Sequence, residues 1–164
     1  MWRWAAIGFI AVTLTASAPA ALADPADPAA PTEPRSGTPC AAAADGAMTW
    51  LPGEKAPLVC AGDQWQTVTT PYPSSDRWVS YGPALTLHGG ARQNPALEPG
   101  RWTATPLDPD SRCRAEQVSV TYGKVDGQAR VDEGEPGRPL ALEVIPRLLT
   151  IEMSGDCLWQ RSTD

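Results

Sequence analysis

The chain has 164 residues, with 19 acidic against 13 basic side chains and a formal charge of −6. Nucleic-acid binders neutralise phosphates with basic patches, so an acidic chain of this kind excludes nucleic acid as the main partner. The same excess disfavours anionic lipid headgroups, and the length suits one domain of ordinary size.

Residues 1–23 open on Met1-Trp2-Arg3-Trp4, run through apolar Ala5 to Leu14 and end on Ala21-Leu22-Ala23. A short basic start, an apolar middle and small side chains at the cleavage positions are the three parts of a secretory signal peptide. Loss of those 23 residues, with Arg3, leaves a mature chain of 141 residues and charge −7 that starts at Asp24. Asp24 is not Cys, so nothing there invites lipid attachment. The alternative is an uncleaved anchor spanning Trp4 to Ala23. Past this segment no apolar run approaches the roughly 20 residues of a membrane helix, so no membrane span is expected in the mature chain.

Residues 24–39, DPADPAAPTEPRSGTP, hold five prolines and no large apolar side chain. Such a segment has little to bury and favours extended polyproline II. It reads as a disordered Pro/Ala-rich linker ahead of a folded domain at 40–164.

Cys40, Cys60, Cys113 and Cys157 all fall in that domain. An even number of cysteines in an exported chain predicts two disulfides, for which three pairings exist. Cys40–Cys60 with Cys113–Cys157 is the favoured one, because each bond then joins apolar segments within one half of the chain. No C-x-x-C spacing occurs and the single His is remote in sequence, so metal binding is not expected.

Short runs of β-branched and aromatic residues, punctuated by Pro and Gly, predict strands. They fall at 48–51, 58–60, 65–70, 78–81, 85–88, 102–105, 114–122, 140–145, 148–153 and 157–160. Val118, Val120 and Tyr122 alternate with Gln117, Ser119 and Thr121; Leu140, Leu142 and Val144 repeat the pattern, as do Leu149, Ile151 and Met153. A period of two with one apolar face marks half-buried strands, with the apolar set inward. Pro52-Gly53, Pro99-Gly100 and Pro136-Gly137 suit type II turns, and 123–127 reads as a loop. Only 41–44 offers a helical turn. The fold class is therefore all-β, an antiparallel sandwich or barrel with two disulfides.

Pro99-Gly100-Arg101-Trp102-Thr103, a Cys about a dozen residues on, and the closing Gly155-Asp156-Cys157-Leu158-Trp159 carry a resemblance. Over residues 98–159 the chain resembles small exported, disulfide-tied β-domains of mycobacteria and related actinobacteria, with one residue more between the closing Gly and Cys. The resemblance implies export and a β fold, and no activity, since that group is mostly of undefined function.

Candidate chemistry is sparse. His88 has no G-x-S-x-G elbow or second His with it and reads as the end of a strand before a turn. Asp108 with Asp110, and Asp132 with Glu133 and Glu135, are candidates for paired-carboxylate hydrolysis or calcium binding, but their Pro/Gly-rich settings read as solvated loops. No cofactor is expected. The mature chain has no Phe and relies on Trp50, Trp65, Trp78, Trp102 and Trp159. Trp102 and Trp159, close to cysteines, are assigned to the core. Trp65, Tyr72, Arg77 and Trp78, in and beside the polar, Pro-interrupted stretch 69–78, are the candidate binding residues. The expected function is a non-enzymatic exported protein of the cell envelope that binds a protein partner. The alternatives are a binder of cell-wall glycan through exposed Trp, or an envelope hydrolase using loop carboxylates.

Overall fold

Alternating side chains build twelve strands in the residues described by this computed structural model, 33–71, 74–82 and 84–162. They are β1 (Met48–Thr49), β2 (Leu58–Ala61), β3 (Gln64–Thr67), β4 (Arg77–Ser80), β5 (Leu85–His88), β6 (Gly100–Pro106), β7 (Arg114–Thr121), β8 (Lys124–Val125), β9 (Arg130–Glu133), β10 (Leu140–Val144), β11 (Leu148–Ser154) and β12 (Cys157–Arg161). Each of the ten predicted runs forms a strand. A 3-10 turn at Ala42–Ala44 stands where a helical turn was expected. The signal-peptide segment, the first part of the linker and Tyr72 lie outside the described residues.

Two sheets result. One has seven strands in the order β10-β6-β12-β4-β1-β2-β3; the other joins β5, β11 and β7, with β8 and β9 both pairing β7. Pairing is antiparallel except between β1 and β4, which run parallel at Met48 and Trp78. The inner faces meet in a core holding Trp78, Trp102, Trp159, Leu142 and Val144 from the first sheet and Leu85, Leu87, Ile151 and Met153 from the second. This is a sandwich.

The disulfides join Cys40 to Cys60 and Cys113 to Cys157. Cys157 lies on β12 of the larger sheet and Cys113 leads into β7 of the smaller, so their bond ties one sheet to the other. Cys40–Cys60 ties the stretch ahead of β1 to β2.

That stretch covers a second apolar cluster of Ala44, Ala47, Leu58, Cys60, Trp65 and Val79. Trp78 belongs to the main core and its neighbour Val79 to this one, so β4 is buried on both faces. Chain that reads as linker contributes as well: Gly37 N–H donates to Trp65 O at 2.7 Å and Trp65 N–H to Thr38 O at 2.9 Å. Residues 37–40 thus cover the open edge of β3. Covering an edge in this way suppresses pairing with other chains.

The turns are partly as expected. Leu51–Glu54 and Glu135–Arg138 each close with an i+3 to i hydrogen bond, with Gly53 and Gly137 at φ +83° and +66°. The Pro99-Gly100 pair instead leads straight into β6.

Two predicted faces are corrected. On β7 the buried side chains are Ala115 and Gln117, whereas Val118 and Val120 are half-buried and Tyr122 is 95% exposed. Gln117 goes inward because its amide has three partners there: Asp132 Oδ2, Glu143 O and Ile145 N–H. On β11 an irregular step between Leu148 and Thr150 buries Leu148 and leaves Leu149 half-buried, while Ile151 and Met153 point inward as expected. One extra residue in a strand switches the face of everything before it.

Candidate functional site

The expected Trp platform is absent from the surface. Trp65 and Trp78 are 1% and 0% exposed, as inaccessible as the core pair Trp102 and Trp159. Trp65 packs edge-on against Tyr81, ring centroids 6.1 Å apart, under the stretch held by Cys40. The Trp78 indole N–H donates to Ser75 O at 3.1 Å, so this aromatic is tied inward to the chain just ahead of β4. Arg77 spans from β4 to the 3-10 turn, where Nη2 donates to Ala43 O at 3.0 Å. It is a structural tie. Sequence spacing cannot reveal this, because the cover is distant in sequence: over Trp65 it includes Gly37 and Thr38, which read as linker, and over Arg77 it is the 3-10 turn.

The closing Gly155-to-Trp159 motif is also structural. The Trp159 indole donates to Ser80 Oγ at 2.9 Å, and Ser80 Oγ donates to Gly155 O at 2.6 Å. Gly155 sits at φ +88° with the Arg112 carbonyl where a Cβ would project. Asp156 Oδ1 accepts from Gly82 N–H at 2.8 Å, and burial together with this carboxylate pushes the Tyr81 phenol up to about 12.

The candidate acids have local partners. Glu133 meets Arg112 at 2.6 Å and Arg114 at 3.8 Å, and Asp132 meets Arg130 at 3.1 Å. Asp108 Oδ1 accepts from Asp110 N–H at 2.8 Å, an ordinary Asx turn. Among the described residues no group of three or more His, Cys, Asp or Glu is placed to hold a metal ion.

Two other features stand out. The first is the outer face of the smaller sheet. Residues opposite one another in a ladder share a face, and the pairs Thr150–Val118, Val120–Val125 and Glu116–Val131 place four valines together on the side away from the core. Val125 and Val131 are 59% and 48% exposed. Arg114, Glu116 and Glu133 form ion pairs on the same face.

At the tip of the β7–β8 hairpin, Tyr122 and Gly123 form a two-residue turn with φ +52° and +76°. Positive φ at both central positions is the type I′ pattern, which favours Asn-Gly and penalises a bulky side chain at the first position. The turn is fastened by Asp126, whose carboxylate accepts from Ser119 Oγ and Thr121 Oγ1.

The second feature is a pair of cavities at the β5 edge, about 330 and 400 Å³, both walled by Trp50 and His88. The Trp50 indole N–H donates to Glu54 O at 3.0 Å. His88 Nε2 lies 2.9 Å from Asn94 O; a carbonyl only accepts, so Nε2 carries the proton and fastens the following loop. A third cavity, about 730 Å³, lies between residues 33–36 and the loop after β1 and has no aromatic wall.

Comparison with protein-family models, curated proteins and solved structures finds no match to this chain. Among the described residues no helix is long and apolar enough to cross a membrane.

Proposed function

We propose that this is an exported, non-enzymatic protein of the cell envelope or its surroundings, acting by binding a protein partner through the outer face of its smaller sheet. Two disulfides support a location outside the reducing cytoplasm. The resemblance of residues 98–159 to exported actinobacterial domains supports the same address.

The observation that carries the reading is the valine face with Tyr122 at its tip. An apolar centre with charged residues around it is the anatomy of a protein interface. Tyr122 adds a second argument. A left-handed backbone costs a bulky residue about 1 kcal/mol or more, and burial normally offsets such a cost. With its ring 95% exposed, Tyr122 recovers nothing by burial within the chain. A contact made outside the chain supplies the missing compensation, and Tyr is among the residue types that dominate interface energies.

The hydrolase reading gains no support, since the acids proposed for it sit in ion pairs and a local turn. The test is capture of a partner from envelope extract by the oxidised protein, repeated with Val125→Lys and Val131→Lys. Both positions are exposed, so the variants keep their fold and, on this reading, lose the captured protein. Undiminished capture by the double variant contradicts the proposed face.

A further inference from the structure

The cavities at the β5 edge have properties that the protein-binding face does not use. Trp50 follows β1 and its ring packs partly on the main core. The turn Leu51–Glu54 brings the Glu54 carbonyl back onto the indole N–H. The ring is therefore held, and its one donor is satisfied internally. What Trp50 offers the two cavities is rigid apolar ring surface without a free polar group.

Polar groups surround it. Thr69, Thr70, Lys55 and Asn94 line the 330 Å³ lobe with His88, and Thr86 lines the other. The hydroxyls of Thr69 and Thr70 and the Asn94 amide make no hydrogen bond within the described residues. His88 keeps the Asn94 end in place through its bond to the Asn94 carbonyl. Each lobe is within the roughly 300–1,000 Å³ of small-molecule sites, which combine an apolar wall with a few convergent polar groups.

We infer that Trp50 and the two lobes that share it as a wall bind consecutive rings of a neutral glycan chain. A pyranose ring has an apolar face of C–H groups and a polar edge of hydroxyls. The held indole matches the face, and the threonine hydroxyls, the Asn94 amide and Lys55 match the edge. An anionic ligand is the poorer fit: among the described residues Lys55 is the one Lys or Arg side chain lining these lobes, and Glu54 borders the second. An apolar peptide is also the poorer fit, because the threonine hydroxyls would lose water without gaining partners. The two lobes favour an oligosaccharide over a single sugar. This is the wall-glycan alternative moved from Trp65 and Trp78, which are buried, to Trp50, which is not. It stands independently of the valine face.

The test is an NMR titration of the oxidised protein carrying 15N-labelled indoles. The probes are soluble β-1,4-linked tetrasaccharides of glucose and of N-acetylglucosamine, taken to about 10 mM, an upper bound for weak specific binding. The expected result is a saturable shift of the Trp50 indole signal with one of these probes, while those of Trp65, Trp78, Trp102 and Trp159 stay fixed. Trp50→Ala should weaken binding about tenfold or more, and Trp50→Phe should retain most of it. Thr70→Arg, at an exposed lining position, fills the cavity without touching the core and should give the same loss if Trp50→Ala fails to fold. Absence of a Trp50 shift with both tetrasaccharides overturns the inference. So does a shift that survives both Trp50→Ala and Thr70→Arg, or one produced only by a valine-rich peptide probe.

Discussion

The side-chain amide of Gln117 treats the backbone around Ile145 as a neighbouring strand would. Its Oε1 accepts from Ile145 N–H at 3.1 Å, while Nε2 donates to Glu143 O at 3.0 Å. One buried amide thereby joins β7 of the smaller sheet to β10, the edge strand of the larger. Replacing it with Leu keeps the volume and orphans both backbone groups, at about 1–3 kcal/mol for each buried unsatisfied partner. Gln117→Leu should lower the unfolding free energy by about 2–4 kcal/mol in a urea titration. A loss below about 0.5 kcal/mol would show that water replaces the amide at no cost.

The two disulfides should differ in stabilisation and in reactivity. Their separations of 20 and 44 residues imply about 3 and about 4 kcal/mol of loop-closure stabilisation, the larger for Cys113–Cys157. Cys113 and Cys157 are both fully buried, whereas Cys40 is half-buried. Mild reductant on the folded protein should therefore open Cys40–Cys60 first, as read by mass spectrometry after alkylation. Opening of Cys113–Cys157 first would contradict the placement of that bond between the sheets.

Gly155 and Gly62 both hold positive φ, +88° and +60°, but only Gly155 has a backbone carbonyl in the way of a Cβ. Gly62→Ala should cost about 1 kcal/mol, the backbone strain alone. Gly155→Ala should cost at least about 3 kcal/mol, because relieving the clash disturbs Ser80, Trp159 and the adjoining disulfide together. Thermal unfolding of the two variants separates strain from collision.

Tyr81 makes stability depend on alkaline pH. Its phenol is pushed up to about 12, first by burial and then by Asp156. Below about pH 10, the ordinary phenol value, Tyr81 is protonated in both folded and unfolded chains and its contribution is complete. Between pH 10 and 12 the unfolded chain ionises first, so stability falls as pH rises. The loss should be about 1–2 kcal/mol, discounted because the ring is only partly buried. Tyr81→Phe should remove this part of the slope when urea midpoints are compared across that range.

How much of this was legible in the residues follows from what each signal encodes. The strands at 85–88 and 140–144 carry plain alternation, and their inward residues are Leu85, Leu87, Leu142 and Val144, as alternation implies. The disulfides joined residues near in sequence and were readable for that reason. Alternation gives a period but not a side. On β7 the valines form the stronger apolar set, yet Gln117 went inward because β10 required a hydrogen-bonding partner from another sheet. That requirement is non-local, and so is the cover that buries Trp65. Arg130–Glu133 contains one apolar residue and gave no strand signal, although it pairs β7 along its whole length. Tyr122-Gly123 was legible only in part: the turn signal began at Gly123, and a Tyr preceding it disguised a type I′ hairpin as the end of a strand.

Tyr122 offers the most direct test of the central claim, because stability and binding should move in opposite directions. Tyr122→Asn places the residue a type I′ turn prefers at an exposed position, so it should stabilise the fold by about 0.5–1 kcal/mol. The same change removes the aromatic tip of the proposed binding face. The measurement is capture of an envelope protein by the oxidised Tyr122→Asn variant beside the unaltered protein, with both melting curves recorded. The account predicts a higher melting temperature and at least a tenfold weaker capture, about 1.4 kcal/mol of binding free energy. Equal capture by the two proteins, or a lower melting temperature for the variant, would contradict the claim that Tyr122 is held in its strained turn for a partner.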